Sequence, residues 1–292
     1  MALKQRKEGL VMNLYAQYLK LWKRGLVGKG FSSRLPDYAT RTWFEYFQKA
    51  LLPHNKGAFL DIGAGDGRLS LVLLASGYQQ GAALEVCVDR KAWNYILSNY
   101  PKFFLYEATL QEAMMSLEHM FDAVVIAEVF EHIPPEDVQS FLDQLARVVA
   151  PGGVVFLTTP NFHAQGPAQQ SSLWHERYAY GHYYHYTQQE LNTLFDHAGF
   201  DIESCNFECH KLKKTLYDRC FYPISRWDSR LSRSQRLPCW FKYAYRCISL
   251  PIIILLRLYF KALASVLFLV ERYSSTEQTA ATIIITARKR SP

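Results

Sequence analysis

Several features that mark other classes of protein are missing from this chain. Its first six residues, Met1 to Arg6, lead into mixed polar and apolar residues without an unbroken apolar core, so we expect no secretory signal peptide. The six cysteines include no C-x-x-C pair, which disfavours a paired-thiolate metal site and favours a reduced, cytosolic compartment. No Asp-rich cluster stands out either, so the sequence predicts metal-independent chemistry.

Acidic residues are scarce only in the C-terminal part of the chain. Residues 211–292 contain 16 Lys and Arg against 4 Asp and Glu, a balance of +12, whereas residues 1–210 contain 17 against 22, a balance of −5. This asymmetry predicts an anionic partner for the C-terminal part. The whole chain has 292 residues and is 49% hydrophobic, which suits one globular domain with attachments.

The most informative stretch begins at residue 58. A short apolar run ending in Asp61-Ile62 is followed by glycines at alternate positions, Gly63, Gly65 and Gly67, and then by an apolar stretch. This order predicts a buried strand, a tight turn and a helix. Glycine lets a ligand approach the main chain closely at the start of a helix, and Asp61 offers a carboxylate to a ligand at the strand tip.

The glycine spacing separates two classes of cofactor. A dinucleotide fingerprint, G-x-G-x-x-G, would need a glycine at position 68, which is Arg68. The pattern present, D-x-G-x-G-x-G, resembles motif I of class I S-adenosylmethionine (SAM) dependent methyltransferases. That resemblance implies that Asp61, Gly63, Gly65 and Gly67 bind SAM, with the turn under the methionine part of the cofactor.

Acidic residues follow the next strands that the sequence predicts. A strand over residues 82–88 ends at Asp89, our predicted ligand of the ribose hydroxyls, and Glu85 within that strand is the competing candidate. A third strand, over residues 103–106, ends at Glu107, which the resemblance places at the adenine edge. A fourth strand, over residues 121–127, runs into Glu128, a further candidate for cofactor binding.

A second resemblance lies after the fourth strand. The segments F-D-A-V-V-I-A-E-V-F-E-H-I and L-A-R-V-V-A-P-G-G-V-V-F-L-T-T-P-N are similar to the corresponding segments of small-molecule class I methyltransferases, including the ubiquinone-biosynthesis O-methyltransferase branch. Enzymes that methylate amino groups of bases carry an N/D-P-P-Y turn here. This chain has Ala-Glu-Val-Phe over residues 127–130, so a nucleic-acid substrate is disfavoured.

Histidines supply the candidate catalytic groups. A hydroxyl acceptor must lose its proton during methyl transfer, and a histidine with a pKa near neutrality suits the role of base. His132 follows Glu131 at the tip of the fourth strand, and His182 lies in a later segment that the resemblance assigns to the acceptor pocket, together with His185. Thr187 and Glu190 predict a capping box at the start of the next helix.

These patterns predict an α/β fold with a doubly wound, mostly parallel sheet. Residues 1–53 would form an N-terminal helical cap, residues 54–210 the SAM-binding core, and residues 280–292 a last strand and basic tail. Residues 211–279 form an insertion whose apolar part places its cations, Arg257 and Lys261, on one helical face with Ser265. That pattern favours a helix lying on an anionic membrane surface, with a membrane span or a soluble lid or oligomer interface as alternatives.

The sequence therefore predicts a cytoplasmic SAM-dependent methyltransferase, peripheral on the inner face of a membrane. Its acceptor would be a small or lipid-linked molecule, methylated at oxygen. Two alternatives stay open at this point: an NAD-dependent oxidoreductase, which would share the sheet, and an inactive membrane-associated scaffold with a methyltransferase fold.

Overall fold

The computed structural model of the chain describes a core and several short segments. The described residues are 18–21, 38–51, 57–88, 90–113, 117, 120–164, 181–208, 255, 259, 262–263, 266, 276–278 and 280–291. Asp89 and most of the predicted insertion at 211–279 lie outside these ranges. Among the residues described, no helix is both long and apolar enough to cross a bilayer.

Seven strands form one sheet in the order β3-β2-β1-β4-β5-β7-β6. Their bounds are β1 Ala58–Ile62, β2 Gln80–Leu84, β3 Phe103–Tyr106, β4 Phe121–Ala127, β5 Val149–Pro160, β6 Phe200–Glu208 and β7 Thr282–Lys289. The first five strands pair in parallel, and β7 runs antiparallel to both of its neighbours. The parallel strands therefore end at one common edge, where ligands bind in open α/β sheets.

Helices cover both faces of the sheet. Their bounds are α1 Tyr38–Leu51, α2 Arg68–Ala75, α3 Arg90–Asn99, α4 Leu110–Ala113, α5 Val138–Val148 and α6 Gln188–His197, with short 3₁₀ turns at Phe130–His132, Pro135–Asp137 and Phe162–Ala164. One buried cluster includes Leu142 and Phe195 of α5 and α6, and the other includes Phe47 and Trp93 of α1 and α3. Two apolar layers enclosing one sheet confirm the doubly wound prediction.

The predicted strands at 58–62, 103–106 and 121–127 are confirmed, and the capping box of Thr187 and Glu190 is present. The predicted end of the second strand is wrong, because β2 stops at Leu84 and not at residue 88. Its partner β3 ends at Tyr106, which pairs with Leu84 and accepts a last hydrogen bond from Glu85 N at 3.1 Å. The correction moves Glu85 to the strand end, at the common edge of the sheet.

Candidate functional site

The turn after β1 is built from three glycines in left-handed backbone conformations. Gly63, Gly65 and Gly67 have φ values of 66°, 57° and 73°. A Cβ atom at Gly63 would lie 2.3 Å from Val129 Cγ2, so the segment after β4 packs directly against this turn. A Cβ atom at Gly65 would meet nothing within 4 Å, which leaves the main chain there facing open space. Such an open turn fits a ligand that approaches the backbone closely.

Gly65 is held from two sides by side chains. Its N–H donates to Glu85 Oε2 at 2.6 Å, and its carbonyl accepts from Trp93 Nε1 at 3.0 Å. The ring of Trp93 also lies where a Cβ atom of Gly67 would be, at 2.8 Å. Sequence reasoning missed Trp93, although a tryptophan early in the helix after the second strand was the available signal. The fully buried indole fixes the shape of the turn.

Asp61 lies under the turn. Its side chain is 1% exposed, and Oδ2 accepts hydrogen bonds from Ser70 N at 3.1 Å and Ser70 Oγ at 2.6 Å. Burial raises the pKa of this carboxyl to about 7, against the opposing effect of the two Ser70 hydrogen bonds. In the structure Asp61 fastens α2 to β1, and its direct contact with a cofactor stays a prediction.

The other predicted acids stand at the ends of neighbouring strands. Glu85 directly follows β2 and accepts from Cys87 N as well as from Gly65 N, whereas Asp89 lies outside the described residues. Glu107 directly follows β3 and is exposed. Glu128 follows β4, is exposed, and donates its N–H to Thr158 O at 2.9 Å. The structure therefore brings three of these acids to the edge that carries the glycine turn.

Glu128 has an unusual backbone for its residue type. Its φ is 56°, and it is the one non-glycine residue with positive φ in the part of the chain that the structure describes. A glutamate in this region costs on the order of 1 kcal/mol, and such residues cluster at functional sites. The strained residue lies three positions before Glu131, a buried carboxyl at the same edge of the sheet.

Glu131 is a buried carboxyl at this edge. It is 1% exposed, and its Oε2 accepts from Thr159 Oγ1 at 3.1 Å. Burial, and then the charge of Glu128, raise the pKa of Glu131. The backbone carbonyl of Glu131 accepts a hydrogen bond from Tyr183 N at 2.8 Å. This bond joins the segment after β4 to the segment that contains His182 and His185.

The two predicted catalytic histidines meet beside this carboxyl. The rings of His132 and His182 lie 4.7 Å apart, and His132 Nδ1 is 3.1 Å from Gly181 O. His182 Nδ1 is 2.7 Å from His185 Nε2, while its Nε2 is 4.0 Å from Glu131 Oε1. Sequence reasoning quoted Glu131 within its motif but did not include it among the site residues, because its burial depends on packing between distant segments.

The same groups could also hold a cation. Glu131, His132 and His182 each offer one ligand atom, and these atoms lie within 4.8 Å of one another. Two imidazoles and one carboxylate are an ordinary ligand set for zinc or another first-row divalent metal. The prediction of metal-independent chemistry therefore stays a prediction, with a defined cluster against which to test it.

An open cavity of about 650 Å³ is formed by the same histidine-bearing segment and its neighbours. Tyr184, Tyr186 and Leu194 contribute apolar surface, and Tyr184 Oη donates to Glu190 Oε1 at 2.6 Å. A cavity of this volume is within the range of small-molecule sites. The prediction that this stretch contributes to an acceptor pocket is compatible with the geometry.

Known proteins similar to this chain include several methyltransferases. A family model described as a methyltransferase domain matches residues 36–205. A ubiquinone biosynthesis O-methyltransferase of Rickettsia conorii is 30% identical over 117 residues, which is 39% of each chain. A probable S-adenosylmethionine-dependent methyltransferase of Mycolicibacterium smegmatis is 27% identical over 146 residues, 49% of this chain and 52% of the other. The chain thus spans about two fifths to one half of the length of these relatives.

Solved structures share the fold at low identity. Phosphoethanolamine N-methyltransferase 2 of Haemonchus contortus, in complex with S-adenosyl-L-methionine, aligns with a TM-score of 0.54 and 15% identity, over 84% of this chain and 51% of that one. The [4+2]-cyclase SpnF aligns with a TM-score of 0.52 and 16% identity, over 96% and 95%. At such identities the likeness concerns the fold alone. Because the family model matches more than half of its residues, the chain belongs to the methyltransferase domain family, and its resemblance to class I SAM-dependent methyltransferases is confirmed.

Proposed function

We propose that this protein transfers a methyl group from SAM to a small-molecule acceptor, at oxygen. The observation that carries the proposal is the glycine turn, open at Gly65 and flanked by acids at the ends of β2, β3 and β4. Family membership supports the cofactor, and the name of the relatives near 30% identity supports oxygen as the acceptor atom. SAM supplies the reactive sulfonium methyl group, so the protein's part is to bind, orient and deprotonate.

We infer that Glu85 is the ribose ligand, in place of Asp89. Glu85 directly follows β2 at the sheet edge and already touches Gly65, and an acid in this position accepts hydrogen bonds from ribose hydroxyls in nucleotide-binding sheets. Its two amide contacts leave free lone pairs, since a carboxylate has about four acceptor sites. Glu107 and Glu128, at the next strand ends, are proposed to contact the adenine side and the methyl-donating side of the cofactor.

His132 is the proposed base. A carbonyl oxygen only accepts hydrogen bonds, so the contact with Gly181 O assigns the proton of the neutral ring to Nδ1 and leaves the lone pair on Nε2. The ring is exposed and able to meet an acceptor. The acceptor hydroxyl would give its proton to His132 Nε2 as its oxygen bonds to the methyl carbon, and the sulfonium would leave as a neutral thioether. His182 contacts His185 through Nδ1 and lies near Glu131 through Nε2. These neighbours would hold the His182 ring against the ring of His132.

A lipid-linked acceptor fits the rest of the chain. The basic balance of residues 211–292 and the apolar content of the insertion support work at the cytoplasmic face of a membrane. The cavity lined by Tyr184, Tyr186 and Leu194 has a volume that would take the body of such an acceptor. Nucleic acid stays disfavoured, because the segment after β4 carries no N/D-P-P-Y turn.

A second mechanism is favoured by the cluster of Glu131, His132 and His182. In this mechanism the three side chains bind a divalent cation, and His132 is a ligand and not a base. The two mechanisms differ in a simple measurement, since only a metal-dependent enzyme would lose turnover in chelator and regain it with Zn²⁺, Mn²⁺ or Mg²⁺.

The cofactor is tested by calorimetric titration with S-adenosylhomocysteine, and in parallel with NADH. We expect saturable binding of the first ligand only. Glu85→Gln should weaken it by roughly 10- to 100-fold, the range expected for lost hydrogen bonds to a charged group, and Asp89→Asn should leave it within about threefold. Binding of NADH would favour the oxidoreductase, and binding of neither ligand would favour the scaffold. If Asp89→Asn weakened S-adenosylhomocysteine binding more than Glu85→Gln did, Asp89 would be the ribose ligand.

The base is tested with radiolabelled SAM and a membrane lipid extract as the acceptor source. We expect His132→Asn to lower methyl incorporation by about 10²- to 10⁴-fold, as for loss of a general base, while S-adenosylhomocysteine affinity is retained. His182→Asn should act more weakly, because the proposed proton acceptor remains. Unchanged incorporation in His132→Asn would remove this residue from the mechanism.

A further inference from the structure

Tyr186 has a buried hydroxyl group that makes no hydrogen bond. The side chain is 4% exposed, and its Oη atom is shielded from solvent and has no hydrogen-bond partner in the part of the chain that the structure describes. A hydroxyl that leaves water without gaining a hydrogen bond lowers stability, so such groups are uncommon and call for an explanation. In a binding site the explanation is a ligand that supplies the missing partner.

Tyr186 contacts both the cavity and the turn that carries Glu131 and His132. It is one of the residues that line the cavity of about 650 Å³. The centroid of its ring is 4.9 Å from that of Phe130, the first residue of the 3₁₀ turn that ends at His132. The carbonyl of Tyr186 accepts from Phe162 N at 3.1 Å, which fixes the residue just beyond the end of β5. Tyr186 therefore connects the cavity wall to the segment that carries the proposed base.

Two polar neighbours in the cavity wall are engaged with other groups. Tyr184 Oη donates to Glu190 Oε1 at 2.6 Å, and Glu190 Oε2 accepts from Thr187 N and Thr187 Oγ1, both at 2.7 Å. These bonds hold the Glu190 carboxylate in the capping box, away from a contact with Tyr186. Burial is the main cause that raises the pKa of Tyr186, so its hydroxyl keeps the proton and acts as a donor.

The charge of the cavity wall selects the kind of oxygen that this donor meets. Burial alone would raise the pKa of Glu190, but the hydrogen bonds from Tyr184 and Thr187 outweigh it and lower this pKa. The Glu190 carboxyl is therefore ionised at neutral pH, and it would repel an anionic group of a ligand in the same cavity. A carbonyl oxygen has lone pairs to accept the hydrogen bond and carries no net charge.

We propose that Tyr186 Oη donates a hydrogen bond to a neutral carbonyl oxygen of the methyl acceptor. Tyr186 would then select acceptors that have a carbonyl group in addition to the hydroxyl group that is methylated. Since Oη is shielded in the structure, the half-buried ring of Tyr184, 4.9 Å from the ring of Tyr186, would turn aside as the acceptor enters. This inference rests on the proposed function, because it takes the ligand of the cavity to be the acceptor.

The experiment is calorimetric titration of the full chain with three phenols, whose flat rings suit a cavity lined by tyrosine rings. 4-Hydroxyacetophenone and 4-ethylphenol have nearly the same shape and differ in one carbonyl oxygen, and 4-hydroxybenzoate carries an ionised carboxylate. The test variant is Tyr186→Phe, which removes the hydroxyl and keeps the ring. The matched control is Tyr78→Phe, because Tyr78 is also 4% exposed but donates to Leu51 O at 2.9 Å in the other buried cluster. Each titration is made with and without S-adenosylhomocysteine, and urea unfolding is measured on each protein.

We expect wild type and Tyr78→Phe to bind 4-hydroxyacetophenone about 3- to 10-fold more tightly than 4-ethylphenol, the range for one hydrogen bond, and 4-hydroxybenzoate more weakly than 4-hydroxyacetophenone. Tyr186→Phe should bind the two neutral phenols equally. Its urea midpoint should match or exceed that of wild type, because no hydrogen bond within the protein is lost, whereas the midpoint of Tyr78→Phe should fall.

Equal binding of the two neutral phenols by wild type, a preference that survives in Tyr186→Phe, or no binding of any probe would overturn the proposal. A urea midpoint lowered in Tyr186→Phe would also overturn it, because the hydroxyl would then have a partner within the folded protein. Tighter binding of 4-hydroxybenzoate than of 4-hydroxyacetophenone would overturn the choice of a neutral oxygen. Failure of S-adenosylhomocysteine to bind wild type would refute the proposed function, and the titrations made without it would still test the carbonyl contact.

Discussion

A single methyl group at Gly65 tests whether a cofactor lies over the glycine turn. In the structure a Cβ atom at this position would have no neighbour within 4 Å, so the alanine side chain itself clashes with nothing in the protein. The substitution does place an L-residue at φ 57°, which costs about 1–2 kcal/mol. Reduced freedom of the unfolded chain returns about 0.4–1 kcal/mol, so Gly65→Ala should lose roughly 1 kcal/mol of unfolding free energy.

Gly152 provides a matched control. It has a φ of 71°, its Cβ atom would also meet nothing within 4 Å, and it lies near the start of β5, at the opposite end of the strands from the glycine turn. Gly152→Ala therefore carries nearly the same backbone strain in the same open surroundings. Urea unfolding should give similar losses for the two variants.

Calorimetry should then separate them. With a cofactor over the main chain, the new methyl group of Gly65→Ala would occupy ligand space, and S-adenosylhomocysteine affinity should fall at least about tenfold, which corresponds to 1.4 kcal/mol. Gly152→Ala should bind like wild type. Wild-type affinity in Gly65→Ala would refute the placement of the cofactor, and equal losses in both variants would show that the effect is one of global stability.

Three further predictions concern the residues around this turn. Trp93→Phe should weaken S-adenosylhomocysteine binding several-fold and lower unfolding free energy by about 1 kcal/mol or more, because Gly65 O loses its hydrogen bond, as measured by calorimetry and urea unfolding. In the folded wild type the pKa of the Asp61 carboxyl is raised to about 7, whereas in the unfolded chain it is 3.8. The folded state therefore holds a proton that the unfolded state has released, and wild-type stability falls as the pH rises from about 4 to 7. Asp61→Asn should flatten this pH dependence of the unfolding free energy. An unchanged slope in Asp61→Asn would contradict this. Asn161→Ala should lower methyl incorporation into the membrane lipid extract more than S-adenosylhomocysteine affinity, because the end of β5 loses its hydrogen bonds to the carbonyls of Glu277 and Ala280.

The strands were predictable from sequence where burial alone determines them. β1 and β4 are short apolar runs bounded by turn residues or acids, and they are buried on both faces between parallel neighbours. β3, the edge strand, is an equally short aromatic and aliphatic run, although Phe104 is exposed. The capping box at Thr187 was predictable for a similar reason, since its two side chains and two backbone amides lie within one helical turn. Local patterns of this kind need no knowledge of the distant chain.

The site depends on contacts that no local pattern contains. His132 and His182 are separated by fifty residues, and their meeting follows from Tyr183 N donating to Glu131 O across the end of β4. The burial of Glu131 likewise depends on Thr159 at the end of β5. Sequence reasoning found the histidines from their chemistry and their neighbours along the chain. It could not show that His132 Nδ1 lies 3.1 Å from Gly181 O while His182 Nδ1 lies 2.7 Å from His185 Nε2.

The choice between Asp89 and Glu85 shows how a small error in a strand changes the assigned chemistry. Apolar residues Val86 and Val88 continue the alternation beyond Leu84, so periodicity extends the strand to the next acid, Asp89. The limit is set by the partner strand, because the register of β2 with β3 ends at Leu84 and Tyr106, and Glu85 N makes the last hydrogen bond, to Tyr106 O at 3.1 Å. Val86 is consequently 72% exposed, which no residue of a buried parallel strand would be. Since ligands bind where the ladder stops, the acid at that point, Glu85, is the ribose ligand that we propose in place of Asp89.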